Sequence, residues 1–499
     1  MPVPSTESNN SPKPEPGSAP PPTPYTVFQN GQIRSIVALC ALAGFFSPFS
    51  AFTYFPTLEY MTADLGVSLQ MMNLTITMFI VVQGIIPAVL GDVADQIGRR
   101  PVYLLVLIVY FLACIGLALQ RSYPALLVLR MLQSAGSSGT IALGIMVVAN
   151  LAPPHSRSRY VGAMLSGPNC GPSLGPVIGG VLAERAGWPW IFWLLAILGG
   201  FCFAVCLVLL PETCRNVVGN GAYTARGRFN RALVNTLSPR THKGSPDGGV
   251  NLSHNLRRCP NPFTCLKILV RRHDALLLTS NSLFYATYSC FHAGLAPLVM
   301  SRYGLNALQA GLCYLAYGVA TISSLYLVGK TVMDFDYRAT ARSCGITINV
   351  VSGDDIASFP IERARIRSLG YFIVVGIAAT LGFGWAIERH AHLSVPLVML
   401  FVCGVTYTAI FNTCLTLNVD LHPTGTGLAS VAASLMRCVA AAVGVAILQP
   451  MLDAVGPGWT FTFFACLSGL SVPMLLILRI LGPSWRKCSS VNRELGSES

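Results

Sequence analysis

Apolar residues in this chain are gathered into long runs that short polar stretches separate. Twelve of these runs have roughly the 20 residues that an α-helix needs to cross a bilayer. They cover residues 35–56, 72–91, 101–119, 124–150, 160–183, 190–210, 274–299, 307–329, 368–387, 394–418, 428–450 and 459–481. The pattern predicts an all-α integral membrane protein with twelve transmembrane helices, which we number as spans one to twelve.

One long polar stretch divides the twelve spans into two groups of six. We interpret residues 211–273 as a cytoplasmic linker between an N-terminal half, 34–210, and a C-terminal half, 274–482. Residues 1–33 are rich in Pro, Ser, Thr and Asn and have little to bury, which predicts a disordered cytoplasmic tail. Residues 483–499 are interpreted as a second cytoplasmic tail.

The basic residues indicate how the chain is oriented. Of 33 lysines and arginines, only Arg121, Arg185, Arg302 and Arg389 lie in the odd-numbered loops, and three more fall within spans. The positive-inside rule therefore places both termini and the linker in the cytoplasm. We expect a plasma-membrane protein. The net charge of +13 follows from this topology and requires no nucleic-acid partner.

Composition excludes several classes of function. Half of the residues, 53%, are apolar and only 11% are charged, and the 16 cysteines are scattered without a Cys-x-x-Cys pair. The cysteines are therefore interpreted as small core residues rather than as a disulfide or metal framework. No nucleotide-binding loop or nucleophile motif occurs, so we expect neither an enzyme nor a cofactor. We expect a monomer.

A glycine- and proline-rich segment, residues 167–180, lies inside span five. Glycines at 171, 175 and 179 recur every four residues, so on a helix they form a groove without side chains, which lets a neighbouring helix approach closely. The prolines that follow these glycines remove backbone donors and favour a bend. The segment is either a tightly packed helix or a moving part.

The loop between spans two and three carries a cluster of charges. It reads Gly91-Asp92-Val93-Ala94-Asp95-Gln96-Ile97-Gly98-Arg99-Arg100-Pro101. A carboxylate at this helix end can pair with arginine and favour a helix N-terminus. The cluster is either a positive-inside anchor or a latch that opens in one state of the protein.

These motifs resemble those of the major facilitator superfamily. Its loop motif is matched by Gly91, Asp95, Gly98, Arg99 and Arg100. Arg130-Met131-Leu132-Gln133-Ser134-Ala135-Gly136 in span four is similar to the motif of proton-coupled members. Span five resembles the antiporter motif at Gly171, Pro172, Gly175, Pro176, Gly179 and Gly180.

Further segments resemble the quinidine-resistance-like branch of the fungal twelve-spanning drug:proton antiporters. They are Pro211-Glu212-Thr213, the stretch from Phe359 to Arg365, the stretch from Asn418 to Pro423, and Leu435-Met436-Arg437-Cys438. The resemblance implies a major-facilitator fold of two six-helix halves. It also implies a secondary transporter that exports small organic compounds (drugs, toxins or secondary metabolites) in exchange for protons, by alternating access.

The candidate groups for proton coupling are few. Arg130 and Arg437 lie within spans, where an ionisable side chain is costly and usually functional. His292 is the only histidine well inside a span, and an ordinary imidazole titrates in the range a proton carrier needs. No Asp or Glu lies in the middle of a span; the nearest are Asp420, at the inner end of span ten, and Asp92 and Asp95, at the end of span two.

The candidate substrate-binding residues are aromatic and amide side chains within spans. They are Tyr54, Gln83, Asn281, Tyr285, Tyr288 and Asn412. An aromatic cavity with few polar groups suits lipophilic compounds, including cations, through stacking and cation–π contacts.

Two other functions remain open at this point. One is a proton symporter that imports a nutrient or a metal chelate, and the other is a transporter-like sensor that binds its ligand without moving it. The span-five motif favours antiport by resemblance alone. A membrane enzyme and a seven-span receptor are disfavoured, by the lack of a catalytic cluster and by the span count.

Overall fold

The structure, a computed structural model, describes residues 26–152, 154–220, 271–327, 332–344, 360–422 and 426–497. In these residues the regular elements are helices. In chain order they are α1 (Asn30–Thr53), a 3-10 turn (Phe55–Thr57), α2 (Leu58–Leu65), α3 (Leu69–Ile97), α4 (Arg99–Leu119), α5 (Tyr123–Leu151), α6 (Pro154–Arg185), α7 (Pro189–Leu209), α8 (Arg215–Val218), α9 (Arg272–Tyr303), α10 (Ala307–Leu327), α11 (Met333–Cys344), α12 (Ile361–Ile366), α13 (Leu369–Glu388), α14 (Ser394–Leu421), α15 (Thr426–Gly469) and α16 (Ser471–Ser497).

Nine helical stretches of the described chain are long and apolar enough to cross a membrane. One of them, Leu428–Arg486, has 59 residues, far more than one crossing needs, and contains a non-helical residue, Gly456, at φ 77 and ψ 170. It therefore has room for two spans. Helices α6 and α10, of 32 and 21 residues, pack in the same bundle. The all-α membrane fold is confirmed, and this set of helices is consistent with twelve spans.

The helices extend into both predicted tails. Helix α1 begins at Asn30 because Gln29 and Gln32 cap its first turn, the backbone N–H of Gln29 donating to the Gln32 side chain at 3.2 Å. At the other end, α16 continues as a helix to Ser497, through most of the predicted tail. Residues 1–25 and 221–270, which hold most of the predicted N-terminal tail and linker, lie outside the described residues.

Parts of two resemblance motifs and of the loop after span eight also fall outside the description. These are residues 328–331, 345–359 and 423–425. Between them, α11 and α12 occupy described portions of the polar loop that separates α10 from α13.

Helices pair in the same way in the two halves. In the first half α1 packs on α6, α3 on α5, α4 on α5, and α4 on α7. In the second half α9 packs on α15, α10 on α14, α13 on α14, and α13 on the part of α15 beyond Gly456, where Gly384 and Gly458 allow close approach. Each pairing of spans in the first half therefore recurs six spans later, as a repeat-built transporter requires.

Two seams join the halves. Helix α3 packs against the first part of α15, and α6 packs against α10. Outside these seams the helices present apolar side chains outward, for example Ile197 and Phe201 at 63% exposure each and Val443 at 58%. Such apolar outer surfaces suit a lipid environment rather than water.

Candidate functional site

A cavity of about 470 Å³ lies between the two halves. Its walls come from α1, α3, α5 and α6 on one side and from α9, α10, α14 and α15 on the other. The volume falls in the usual range for small-molecule sites, and the position between repeats is where carriers bind substrate.

Five of the six predicted substrate-binding residues line this cavity. They are Gln83, Asn281, Tyr285, Tyr288 and Asn412. Tyr54 does not: its ring is 1% exposed, and its hydroxyl shares a 2.8 Å hydrogen bond with Thr75. Tyr54 precedes the 3-10 turn, which carries its side chain into the packed interior of the first half. Tyr54 is therefore outside the cavity lining of this structure, and its substrate-binding role stays a prediction.

The lining also contains residues that the sequence did not single out. Phe52 on α1, Tyr317 on α10, Tyr407 and Phe411 on α14, and Ser434 on α15 all border the cavity. The signal for Ser434 was available in principle, since Ser434 lies one helical turn before the intramembrane charge Arg437. The aromatic side chains could not be separated from core residues by sequence alone.

The cavity reaches one end of the bundle. We call this the linker end: it carries the α3–α4 turn and residues 210–220. The lining extends to Gly91 and Asp95 in the last turns of α3, where the Asp95 side chain is 51% exposed.

The end that carries the 3-10 turn and the α9–α10 turn lies across the bundle from the linker end, and we call it the opposite end. There α6 and α10 meet backbone to backbone. A Cβ placed on Gly180 would collide with the carbonyl oxygen of Ala307, and one on Gly311 with that of Pro176. The side chain of Asn306 also donates a 3.1 Å hydrogen bond to Glu184, across the two halves. The bundle is closed at this end.

The glycines of span five lie against α1. A Cβ on Gly171 would come 2.7 Å from the backbone nitrogen of Phe49, and one on Gly175 2.9 Å from that of Thr53. Gly179 lies equally tightly on the carbonyl of Thr53. The predicted groove is thus filled by the α1 backbone. Helix α6 continues through its three prolines, and Pro172 lies on its cavity face.

Arg130 lies outside the cavity lining, inside the first half. It is 1% exposed, and its guanidinium sits 4.0 Å from the centre of the Tyr54 ring and 4.5 Å from that of Phe79. It donates to the Gln133 side chain at 2.6 Å. No described carboxylate lies within ion-pair distance of it, so rings and amides stabilise this charge.

His292 lies directly behind the cavity wall. Its ring is packed 4.3 Å from both Tyr288 and Tyr317, which line the cavity, and 4.9 Å from Phe52. Its Nδ1 bonds the Tyr288 carbonyl at 2.8 Å, whereas its Nε2 is buried without a hydrogen-bond partner. Two tyrosine rings thus separate this imidazole from the cavity.

Arg437 and Asp420 lie in different surroundings. Arg437 borders the cavity, 4.9 Å from the ring centres of both Tyr285 and Phe411. Asp420 is at the linker end, where it accepts from Arg365 at 3.1 Å, and it does not border the cavity. The four residues predicted for proton coupling are therefore dispersed and form no single cluster.

The predicted loop motif forms a compact charged turn at the linker end. Gly98, at φ 118, joins α3 to α4 in a conformation that favours glycine. Asp95 pairs with Arg99, one turn later in the chain. Arg100 turns instead toward the end of α7, where its Nε donates to the Leu210 carbonyl at 2.7 Å.

Glu212 is the central acceptor beside this turn, a role that sequence reasoning missed. The buried carboxylate accepts from the backbone nitrogens of Arg99 and Arg100 at 3.0 and 3.1 Å, and from those of Thr213 and Cys214 at 2.8 Å each. It thereby caps α4 and fixes the chain leaving α7. The signal was the Pro-Glu-Thr triplet, but the two partners in α4, Arg99 and Arg100, are more than a hundred residues away in sequence.

The second half has its own network at the linker end, also unforeseen. Asp274 at the start of α9 lies 3.3 Å from His422 and 3.5 Å from His273, and His273 reaches Glu362. The hydrogen bond with the Asp274 carboxylate raises the pKa of His422 above its ordinary value. Arg486 on α16 lies 3.5 Å from Glu362. The network ties α16 to α9, α12 and the end of α14.

An all-helical membrane bundle built from two similarly paired halves around a central cavity is a membrane carrier in architecture. The family model of the Major Facilitator Superfamily matches residues 40–445, and the chain belongs to that superfamily of transporters, which are not enzymes. This confirms the superfamily-level resemblance; the twelve-span drug:proton and quinidine-resistance branches stay predictions.

Curated relatives and a solved structure agree with this family. The chain is 36% identical over 466 residues to the "MFS-type transporter phiD" of a fungal species (strain ATCC 74256), covering 93% of this chain and 70% of that one. It is 34% identical over 495 residues to "Citrate exporter 1" of Aspergillus niger, covering 97% and 91%. A crystal structure of a D-xylose–proton symporter aligns with TM-score 0.64 and 16% identity over 89% of this chain and 97% of that one, which shows the shared fold.

Proposed function

We propose that the protein exports small organic compounds, such as drugs, toxins or secondary metabolites, in exchange for protons by alternating access. The observation that carries this proposal is the asymmetry of the central cavity. It extends to the linker end, whereas backbone contacts between α6 and α10 close the opposite end. One cavity closed on one side is one state of a carrier that alternates between two.

The distribution of arginine and lysine gives this state a direction. If the linker end faces the cytoplasm, as the positive-inside rule predicts, the cavity takes up its substrate from inside the cell. We further propose that the membrane is the plasma membrane and that both termini are cytoplasmic. Export is supported by the span-five motif and by the similarity to "Citrate exporter 1" of Aspergillus niger.

For proton coupling we propose His292 as the titrating group. It is buried behind Tyr288 and Tyr317, and its free Nε2 can take up a proton when those rings move. Arg130 and Arg437 act as fixed charges that set proton affinity nearby, and Asp420 is held in its ion pair with Arg365 until the linker end rearranges.

Flux into proteoliposomes under an imposed pH gradient tests the proposal. Protons that flow out of the vesicles down their gradient should drive accumulation of substrate inside, and an ionophore that collapses the proton gradient should abolish this accumulation. His292→Asn should keep substrate exchange but lose the dependence on the gradient. Accumulation that survives collapse of the gradient, or movement of substrate together with protons, would contradict antiport.

A further inference from the structure

The cavity has one charged side chain in its interior, the cation Arg437. Among the described residues that line it, the only other charged group is Asp95, which sits at the exposed linker end and pairs with Arg99. No described carboxylate lies within ion-pair distance of Arg437. Its guanidinium donates a hydrogen bond to the Ser434 hydroxyl, at 3.3 Å.

The rings around Arg437 stabilise its charge without neutralising it. Tyr285 and Phe411 flank the guanidinium at 4.9 Å each, which is cation–π distance. The Nε atom of Arg437 is buried without a partner. A cation in the membrane interior is costly unless an anion or a dense set of acceptors accompanies it. The site is therefore short of one negative charge.

Amide side chains also line the cavity, and one of them has an atom without a partner. Asn281 is only 4% exposed, borders the cavity, and its amide oxygen is buried without a hydrogen bond. Gln83 and Asn412 add amides on α3 and α14. Buried polar atoms without partners are rare in folded proteins, and a ligand is one way to satisfy them.

We propose that the cavity binds amphipathic organic monoanions, whose carboxylate pairs with Arg437. Guanidinium suits this role because its planar fork matches a carboxylate in two parallel hydrogen bonds. The apolar body of the ligand lies among the aromatic rings, and its other polar groups meet the cavity amides. The inference rests on the proposed function and names the substrate class of that carrier.

The charge balance distinguishes this class from two others. A lipophilic cation would add a second positive charge beside Arg437 in a low-dielectric cavity, which is unfavourable. A tricarboxylate such as citrate would bring more negative charge than one arginine can compensate, and amides cannot neutralise the rest. A single carboxylate on an apolar body leaves no net charge in the cavity.

Equilibrium binding to the full-length protein in phosphatidylcholine nanodiscs tests the inference, because these discs contain no anionic lipid that could occupy the site. The probes are 4-phenylbutyrate, indole-3-acetate and decanoate, with 4-phenylbutyramide as a neutral match, citrate, and tetraphenylphosphonium. At least one monocarboxylate should bind saturably. 4-Phenylbutyramide should bind about tenfold or more weakly than 4-phenylbutyrate, because it cannot form the charge-assisted pair with Arg437. Tetraphenylphosphonium and citrate should bind more weakly than the acids.

Variants then assign the charge to Arg437. Arg437→Gln should lose most of the preference for acid over amide, and Arg437→Lys should retain part of it. Arg121→Gln makes the same chemical change outside the cavity, where Arg121 sits over the Trp188 ring at 5.9 Å, and should bind as the wild type does. Three results would each overturn the inference. A folded Arg437→Gln protein could keep the preference for acid over amide, the cation or citrate could bind more tightly than the acids, or none of the three acids could bind.

Flux keeps this test separate from the exporter proposal. Arg437-dependent binding of an acid without proton-driven flux supports the anion site and contradicts the exporter. Proton-driven flux of tetraphenylphosphonium, with no binding of the acids, supports the exporter and overturns the anion site.

Discussion

At the scale of single residues, the buried charges are satisfied in two different ways. Arg130 and Arg437 are each flanked by two aromatic rings, whereas Glu212 is surrounded by backbone N–H groups. Both oxygens of the Glu212 carboxylate act as acceptors: Oε1 accepts from three backbone N–H groups and Oε2 from the fourth. This makes Glu212 sensitive to the smallest chemical change.

Replacing Glu212 by Gln should destabilise the first half. The amide keeps one acceptor oxygen and turns an NH₂ donor toward a backbone donor, so at least one buried N–H loses its partner. Loss of one buried hydrogen bond costs about 1–3 kcal/mol. Thermal unfolding of the purified protein in detergent should show a lower midpoint. Glu59→Gln, in a half-buried carboxylate of α2 outside this network, is the control, and an equal effect of both would contradict the capping role.

At the scale of helices, two kinds of glycine contact lie on α6. The first set, Gly171, Gly175 and Gly179, packs α6 against α1 within one half. The second set lies where α6 meets α10 across the halves, and consists of Gly180 on α6 and Gly311 on α10. If the carrier alternates, the first set moves together and the second set must separate. A bulky side chain in the first set should therefore disturb packing within one half in either state, whereas one in the second set should favour the state in which α6 and α10 separate.

Gly311→Val should open the α6–α10 seam. Its side chain would collide with the Pro176 carbonyl, which is backbone and cannot turn away. The equilibrium should then shift toward the state with an open opposite end. Hydrogen–deuterium exchange should become faster in the last turns of α6 and the first turns of α10. Gly162→Val, on α6 with nothing within 4 Å of an added Cβ, is the matched control and should leave exchange unchanged.

Sequence reasoning predicted these elements better than it predicted their contacts. The helices lie close to the twelve apolar runs because membrane-spanning length and hydropathy are local properties. The position of Tyr54 outside the cavity could not be predicted, because the 3-10 turn that follows it has no clear signal in the sequence. The partners of Glu212 and the Asp274 network are set by packing between distant segments, which spacing along the chain cannot show.

At the scale of the whole molecule, close backbone packing joins the two halves at the opposite end. Among the described residues, one hydrogen bond between side chains also joins them there, that of Asn306 with Glu184. Backbone packing acts only at contact distance. A charged side chain at position 306, in contrast, would attract or repel the Glu184 carboxylate, depending on its sign. That position therefore offers a way to bias the two states while the backbone packing of α6 on α10 stays in place. Its side-chain oxygen also accepts from the backbone N–H of Gln309 at 2.9 Å, a cap that aspartate keeps and lysine loses.

Asn306→Lys should favour the closed opposite end, since it places a cation beside Glu184, and Asn306→Asp should favour the open one through repulsion. Exposed pairs contribute about 0.2–1 kcal/mol, so the ratio of the two states should change by up to about fivefold in each direction. Exchange in the last turn of α6, which carries Glu184 and does not depend on the Asn306 cap of α10, should slow in the first variant and quicken in the second. Both shifts should shrink in high salt and vanish in a Glu184→Gln background. Shifts in the same direction, or shifts that persist without the Glu184 charge, would mean that this contact does not hold the halves together.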